Sequence, residues 1–271
     1  MRLAKRQKTL NDATKPGTTG RIHFTLVSLL LGLSLLAMVS RGAAQMAVKG
    51  TLLLAEDFRT RSEYPKERQP VKEGWQVRAA HARWERSPDG VRSVWEKGHM
   101  PVLVYEANFS NAVIEVDFRF SQQAGKWGGC RISASNPELN PRAYAVSLWA
   151  NSDGSGHDRG RPQGLLLEHD EWSAGPEKVA HTPGEFHADT WHTLRLEFIG
   201  TNALATCNGI SVLGSHEKFG LAKKSISLGV GTCPHELRNF RVWEAQPNAA
   251  WSPQMLQRKD APKPLDERGA K

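Results

Sequence analysis

The chain is poor in cysteine, with three in 271 residues. Cys130, Cys207 and Cys233 allow at most one internal disulfide, which excludes a scaffold stabilised by several bridges. Cys207 and Cys233 fall in segments that we expect close together in one sheet, so a bridge between them is one alternative. Three buried thiols are the other, because unpaired cysteine is often buried. The sequence leaves both alternatives open.

The chain also lacks a charge excess outside its first residues. Its formal net charge is +8, but residues 1–44 hold seven of the 36 Lys and Arg residues and one of the 28 Asp and Glu residues. The rest of the chain therefore has 29 basic and 27 acidic side chains, a net charge of +2. Nucleic-acid binding needs a basic surface, so the composition predicts no nucleic-acid partner.

The apolar run at residues 25–39 is too short for an ordinary transmembrane helix. As a helix it would span about 22 Å, against about 30 Å for the hydrocarbon core of a bilayer. Basic residues precede the run and Gly42, Ala43 and Ala44 follow it, which is typical of a signal peptide. We therefore expect residues 1–44 to be a cleaved signal peptide with a long basic n-region. The protein would then be exported to the periplasm, the cell surface or the medium.

An uncleaved anchor is the alternative for residues 1–44, because their basic part is unusually long. In that case this segment would be the contact of the chain with a membrane. No cysteine follows the apolar run directly, so a lipoprotein anchor would have no attachment residue.

Helical periodicity is almost absent, which argues against a helical fold. Residues 111–120 and 194–198 alternate apolar and charged side chains, the two-residue period of half-buried strands. Asn208-Gly209 between two short apolar runs predicts a type I′ hairpin. The series of short strands predicts one all-β domain over residues 50–245, a jelly-roll sandwich of two antiparallel sheets. Residues 246–271, rich in Pro and polar residues, are predicted to be a largely disordered tail.

Five stretches carry a family resemblance. They are Glu56-Asp57-Phe58, residues 114–120, residues 191–196 with the Cys207-Asn208-Gly209 hairpin, residues 226–229 and residues 237–243. Together they resemble the 3-keto-disaccharide hydrolase domain family of secreted bacterial proteins, whose fold is a concanavalin A-like jelly roll. The resemblance covers residues 50–245. These motifs are chiefly structural, so they specify the fold more closely than the chemistry.

The resemblance implies a reaction that differs from ordinary glycoside hydrolysis. A ketone at C3 of a sugar acidifies the proton on C2, so a general base can remove it. The glycosidic oxygen then leaves by elimination, and water adds back. Such a site needs a base with a pKa near neutral, an electrophile for the enolate oxygen and an acid for the leaving group. A divalent cation, calcium or another, could be that electrophile.

The motif of a two-carboxylate glycosidase is incomplete in this chain. Laminarinase-type enzymes of the same fold carry Glu-x-Asp-x-x-Glu, and Glu115-Val116-Asp117 begins that pattern. Neither Arg119 nor Phe120 supplies the second carboxylate, so this strand lacks the pair that ordinary glycosidases use. Residues 125–132 also depart from the Gly-Asn-Ser-Gly segment that members of the family carry after this strand.

The richest group of acids and histidines lies in residues 157–171. His157, Asp158, Glu168, His169 and Asp170 are the candidates for the base and the acid. We expect Glu168 and Asp170 to share one face of a strand, with His169 on the other. The alternative is a solvated, charge-balanced loop, since runs of charge usually lie at the surface.

A possible cation site lies in residues 151–158, which combine carboxylates with Gly and Ser. Asp153 and Asp158 are the candidate ligands for a divalent cation such as calcium. The loop lacks the Glu at the twelfth position of an EF-hand. The same residue types form ordinary turns, so a plain turn is the alternative.

Tryptophan is abundant, with nine against three Tyr. Flat aromatic faces can stack on sugars, and three of the tryptophans lie near the polar candidates. The outward-facing charges of residues 114–120 could line a concave face, or could be a solvated and mutually paired strand surface. The predicted substrate-binding residues are Trp127, Arg131, Trp149, Trp172, Glu115, Asp117 and Arg119.

The leading hypothesis is an exported carbohydrate-active protein that hydrolyses or eliminates 3-keto-glycosides, with an oligosaccharide or polysaccharide as its partner. A non-catalytic lectin-like module is the second hypothesis, and a cell-surface interaction domain without a sugar site is the third. Acids and histidines clustered in one pocket would favour the enzyme. Exposed Trp faces without such a cluster would favour the lectin.

Overall fold

The computed structural model describes residues 45–95, 97–123, 126–136, 144–152, 161–171 and 175–256. The predicted signal peptide lies outside these residues. Within the described ranges, no helix is long and apolar enough to cross a membrane. The strands are β1 (Ala47–Glu56), β2 (Gln69–Lys72), β3 (Trp75–Ala80), β4 (Arg83–Arg86), β5 (Val91–Val94), β6 (Val102–Phe109), β7 (Ala112–Phe120), β8 (Gly129–Ser135), β9 (Tyr144–Asn151), β10 (Gly164–Glu171), β11 (Gly175–Thr182), β12 (His192–Ile199), β13 (Asn202–Cys207), β14 (Ile210–Ser215), β15 (Lys223–Val230) and β16 (His235–Pro247). Two 3₁₀ turns, Glu217–Gly220 and Pro253–Leu256, complete the described elements.

The strands form two antiparallel sheets, here called sheet A and sheet B. In sheet A the order is β14-β13-β12-β7-β16-β5-β4, and β1 also pairs with β16. In sheet B the order is β11-β10-β9-β8-β15-β6-β3-β2. The predicted all-β jelly roll of two antiparallel sheets is confirmed.

The core lies between the two sheets and follows from the two-residue period of the strands. Val116 and Phe118 of β7 are fully buried, and so are Leu196 and Phe198 of β12 on the neighbouring strand. Sheet B covers them with residues such as Ile132 of β8, in the same core cluster. Full burial of one such side chain contributes about 1.5–3 kcal/mol, so the alternating strands supply much of the stability of the domain.

Two turns that carry the family motifs have left-handed backbone. Asn208 and Gly209 have φ angles of 50° and 81°, as a type I′ turn requires, and they join β13 to β14. In the opening motif, the carboxylate of Glu56 accepts the N–H of Phe58 at 2.9 Å. Phe58 is fully buried with φ at 63°, a strained value for a bulky residue. Packing and the Glu56 hydrogen bond therefore hold this turn, whose role is structural.

All three cysteines are buried thiols without a disulfide. Burial raises the pKa of Cys130 to about 12, and it raises the pKa of Cys207 as well. Thiols with such raised pKa values stay protonated and unreactive at neutral pH. Of the two alternatives left open by the sequence, three buried thiols is the observed one.

Two strands were not predicted, and both lie at the edges of sheet B. Strand β2 falls within residues 59–73, which are rich in charge and proline and predict a polar loop, and β11 follows the charged segment of residues 157–171. Their side chains are mostly exposed or half-buried, so they lack the apolar alternation that marks a core strand. Pro70 fits in β2 because an edge strand need not donate every backbone N–H.

Part of the predicted C-terminal tail packs against the start of the domain. Strand β16 continues to Pro247, and the N–H of Asn248 donates to the carbonyl of Met46 at 3.0 Å. The side-chain amide of Asn248 donates to the carbonyl of Gln45 at 2.8 Å. Residues 257–271 of that tail lie outside the described residues.

Candidate functional site

The outer face of sheet B has a floor of small hydroxyl side chains. The hydroxyls of Ser133 on β8 and Ser147 on β9 are hydrogen-bonded at 2.8 Å. Those of Ser135 on β8 and Ser225 on β15 are hydrogen-bonded at 2.7 Å. Because successive side chains of a strand point to opposite faces, these serines face away from the core. Their small size leaves space above the sheet.

A groove of about 1180 Å³ lies above this face, over β2, β3, β6 and β15. Pockets for small ligands measure about 300–1,000 Å³, so the groove has room for a small organic ligand. The carboxylate of Glu106 is engaged by the Nε atoms of Arg68 and Arg78, at 2.6 and 3.6 Å. Cations outnumber anions among its charged lining residues, which are Arg68, Lys72, Glu73, Arg78, Glu106 and Lys224.

Arg131 of β8 lies beside the groove and is 6% exposed. Its guanidinium carbon is 4.6 Å from the ring centre of Tyr144, which lines the groove, and 5.0 Å from that of Trp149. Its Nη2 donates to the hydroxyl of Tyr144 at 3.4 Å. Among the described residues, its Nε has no acceptor and no carboxylate forms an ion pair with it. Arg131 is thus a buried cation without a counter-ion in this part of the chain.

Gly229 of β15 makes room for the Arg131 side chain. The two residues are register partners, and a Cβ atom at Gly229 would lie 3.3 Å from Nε of Arg131 and 2.9 Å from Cε of Met100. These distances are tighter than ordinary van der Waals contact. The glycine therefore lets the guanidinium lie close over the sheet.

A second buried arginine, Arg161, binds two of the predicted acids. Its Nε donates to both carboxylate oxygens of Glu168, at 3.1 and 2.9 Å, and its Nη2 lies 3.9 Å from Asp170. Its guanidinium carbon is 4.0 Å from the ring centre of Trp149. Burial raises the pKa of Glu168, and the charge of Arg161 partly opposes that shift. Arg161 therefore forms a close ion pair with Glu168 and a longer one with Asp170, and its single charge offsets one of these two carboxylates.

His169 lies apart from these acids, as the alternation of β10 predicted. Its Nδ1 is 3.2 Å from the carbonyl of Ala145 and its Nε2 is 3.1 Å from Glu171. Its ring stacks on that of His216, with centres 4.6 Å apart. The structure thus brings Glu168 and Asp170 together with Arg161, and it does not bring His169 into that group.

The two described tryptophans of the predicted sugar-stacking set are buried. Trp127 and Trp149 are 3% and 1% exposed, with ring centres 5.7 Å apart, and they pack with Leu166 and Met100. The expectation that they present open faces to a sugar is therefore corrected. Trp149 instead supports the guanidinium groups of Arg131 and Arg161.

The charged residues of β7 lie on the outer face of sheet A, not beside the groove of sheet B. Because β7 belongs to the opposite sheet, these residues do not line the groove of sheet B. Each of them is also engaged by an opposite charge, which agrees with the alternative of mutual pairing. The pairs are Glu115 with Arg195 at 2.6 Å, Asp117 with Arg238 at 3.2 Å and Arg119 with Glu236 at 3.0 Å.

The remaining predicted site residues, His157, Asp158, Asp153 and Trp172, lie outside the described residues. The metal ligands and two of the five acid-base candidates thus stay predictions. Within the ranges that are described, no group of three or more His, Cys, Asp or Glu side chains could hold a metal ion.

Sequence reasoning missed His81, which lies between β3 and β4 and lines the groove. Its φ is 64°, and its ring centre is 4.8 Å from that of His99. Burial lowers the pKa of His81, and the charges of His99, Arg78 and Arg131 lower it further. Strand periodicity does not distinguish a single histidine in a turn from other turn residues. Only the packing of strands that are distant in sequence shows that His81 lines the groove.

The two antiparallel sheets define a concanavalin A-like jelly-roll domain. Residues 70–242 match the model of the 3-keto-alpha-glucoside-1,2-lyase-like domain. The match spans more than half of the chain, and the protein belongs to this family. The resemblance drawn from its motifs is confirmed. None of the proteins of curated function matches the chain in sequence.

Three solved structures are similar to this one at a TM-score of 0.50. The carbohydrate-binding module CBM66 from Bacillus subtilis is 12% identical, and the alignment covers 63% of this chain and 96% of that one. A Bacillus subtilis protein of unknown function with a galectin-like fold is 12% identical, over 75% and 100% of the chains. A LamA variant from Z. galactanivorans, in complex with laminaritriose and laminaritetraose, is 11% identical over 73% and 100%. At such identities these likenesses establish the fold alone.

Proposed function

We propose that this protein cleaves 3-keto-glycosides by elimination in the groove on sheet B. The observation that carries the proposal is the family match over residues 70–242, which spans strands β3 to β15 of sheet B and therefore Arg131 and most of the groove lining. Jelly-roll relatives support a sugar as the ligand, since one similar structure is a carbohydrate-binding module and another holds laminaritriose.

The chemistry requires three groups around the sugar ring. A base takes the C2 proton, and the electrons of that bond form an enolate whose negative charge rests on the C3 oxygen. The enolate then collapses, restores the ketone, forms the C1–C2 double bond and expels the glycosidic oxygen, which an acid protonates. Water can add to C1 of the product to complete a hydrolysis.

Arg131 has the properties that the enolate oxygen needs. It is a buried cation beside the groove, and no carboxylate of the described residues neutralises it. A fixed positive charge in a site of low dielectric stabilises a developing oxyanion more strongly than water does. We assign Arg131 to the C3 oxygen. We place the leaving-group acid among His157, Asp158 and Asp170, because Glu168 is held on both oxygens by Arg161.

The test compares two substrates that differ only in the ketone. Purified protein is incubated with a 3-keto-glucoside and with the unoxidised glucoside, with and without chelator, and sugar release is followed. We expect release from the 3-keto substrate alone. Release from both would indicate ordinary hydrolysis, and release from neither would overturn the proposed activity. Loss of release with chelator would support the predicted cation at Asp153 and Asp158.

A non-catalytic carbohydrate-binding role is the second candidate, and one observation favours it. Two carboxylates on this face of sheet B are committed to cations, Glu106 to Arg68 and Arg78, and Glu168 to Arg161. A binding module needs no uncommitted acid. Binding of the protein to glycans without release of sugar from any 3-keto-glycoside would favour this role.

We also propose that the protein is exported and that residues 1–44 are removed. The basic residues, the short apolar run and the small residues at 42–44 support this proposal. Sequencing the N-terminus of the mature protein should find Gln45 as its first residue. A chain that keeps Met1 and stays in the membrane fraction would instead support the uncleaved anchor.

A further inference from the structure

His81 is placed at the end of the groove by an unusual backbone conformation. It follows Ala80, the last residue of β3, and both residues line the groove. Its φ of 64° lies in the left-handed region, which few residues other than Gly adopt and which Asn, Asp and His adopt most often among them. Backbone strain of this kind is often found at functional sites. Among the described residues, neither ring nitrogen of His81 makes a hydrogen bond, so both are free to contact a ligand.

The surroundings of His81 favour a neutral imidazole. His81 is solvent-exposed, and its partial burial together with the nearby charges of His99, Arg78 and Arg131 lowers its pKa from the ordinary histidine value. A neutral ring at pH 7 has one nitrogen lone pair that can accept a proton. Charged groups also border the adjoining hollow that shares His81, namely Glu63, Lys66, Arg83 and Lys97.

The strand order places His81, at the end of β3, three strands away from Arg131 on β8. Ala80 pairs with Val102 of β6, Val102 with Gly229 of β15, and Gly229 with Arg131 of β8. Three strand spacings separate the backbones by about 14 Å. Gly229 lies between them in this register, and the Arg131 guanidinium and the Met100 side chain lie against it.

We propose that His81 is the general base that removes the C2 proton of a 3-keto sugar whose C3 oxygen lies against Arg131. The inference rests on the proposed function and names the residue that starts the reaction. The proton passes from C2 to a ring nitrogen of His81, and the C–H electron pair becomes the enolate beside Arg131. Collapse of that enolate expels the C1 oxygen, and His81 later releases its proton to water.

The test uses His81→Asn, because Asn tolerates a positive φ and lacks a basic nitrogen. We expect turnover of a 3-keto-glucoside to fall by about 10²–10⁴-fold, the usual contribution of general base catalysis. In the wild type, kcat/KM should rise with pH through the pKa of His81, and this rise should be absent from the variant. The matched control is His187→Asn, an exposed loop histidine outside the groove.

A second readout separates a base from a structural residue. In heavy water, the wild type should exchange the C2 hydrogen of a bound 3-keto sugar for deuterium. His81→Asn should lose this exchange while it keeps the melting temperature of the wild type and binds the sugar with an affinity within about twofold of the wild type. Exchange that persists in the variant overturns the role of His81 and leaves the proposed function standing. A wild type that neither releases sugar nor exchanges C2 overturns both.

Discussion

The two outer faces of the sandwich each bury an Arg–Glu pair, and the pairs differ in what surrounds them. On sheet A, Arg195 binds Glu115 and Glu197 at 2.6 and 2.7 Å. On sheet B, Arg161 binds Glu168 at 2.9 Å. In both sheets burial raises the pKa of the buried glutamate and the arginine opposes that shift. The local chemistry of the two pairs is thus the same.

The cluster on sheet A is closed by the start of the domain. The N–H of Ala47 donates to Glu197 at 2.6 Å, and Lys49 donates to Glu115 at 2.9 Å, so strand β1 gives both glutamates a further partner. Nη2 of Arg195 is buried without an acceptor among the described residues. On sheet B the extra group is Arg131, a cation with no carboxylate among the described residues. We therefore expect the ion-paired cluster on sheet A, the closed cluster, to stabilise the fold. We expect the cluster on sheet B, the open cluster, to offer the charge of Arg131 to a ligand.

The largest expected effect comes from breaking the closed cluster with Arg195→Met. This change leaves Glu115 and Glu197 without their shared cation, and removing one partner of a buried pair costs about 3–5 kcal/mol. Urea unfolding should show this loss. The control is Arg92→Met, whose ion pair with Glu85 is exposed, and it should cost at most about 1 kcal/mol. Equal losses in both variants would contradict a special role for the buried cluster.

The open cluster should respond to Arg131→Met in activity and not in stability. Turnover of a 3-keto-glucoside should fall about 10²–10³-fold, which corresponds to about 2.7–4 kcal/mol of transition-state stabilisation. The free energy of unfolding should stay the same or increase, because an uncompensated buried charge is removed. Kinetics and urea unfolding on the same preparation check both parts. A loss of stability as large as that of Arg195→Met, with turnover kept, would show that Arg131 is structural.

The pH dependence of stability gives a smaller effect of the same sign on both faces. The pKa of Glu168 is raised in the folded protein, so the fold binds this proton more tightly than the unfolded chain does. The resulting stabilisation is complete below the unfolded pKa of about 4.3 and is lost as pH rises through the folded pKa. Wild type should therefore lose stability relative to Glu168→Gln as pH rises from about 4 to 7. Glu197→Gln should show the same pH dependence. A stability difference between the wild type and either variant that does not change with pH would contradict the raised pKa of that glutamate.

The smallest effect is expected at the rim of the closed cluster. Lys49 is partly exposed, pairs with Glu115 and lies 3.8 Å from the ring centre of Trp243. Lys49→Met should cost about 0.5–1 kcal/mol, because exposed ion pairs and cation–π contacts are weak. Urea unfolding at low and high salt measures this, and the part due to the ion pair should shrink in 1 M salt. A cost that rivals that of Arg195→Met would show that the rim contributes as much as the buried pair.

The sequence was sufficient to predict the strands that bury an apolar face in the core. It did not predict the edge strands that bury little. Alternation in residues 111–120 and 194–198 predicted β7 and β12, and Asn208-Gly209 predicted the turn after β13. Edge strands β2 and β11 were missed because they bury few apolar side chains. The alternation also separated Glu168 and Asp170 from His169. It did not indicate that Arg161 would hold both acids.

The sequence by itself determined which side chains leave the core, because that choice depends on a period of two residues along one strand. Only the tertiary structure decided which outward side chains meet, because the neighbours of a strand come from distant parts of the chain. Strand β7 lies in sheet A, so Glu115 pairs with Arg195 and not with a ligand in the groove. Strand β15 lies between β6 and β8, so Gly229 leaves room for the guanidinium of Arg131 on the neighbouring strand.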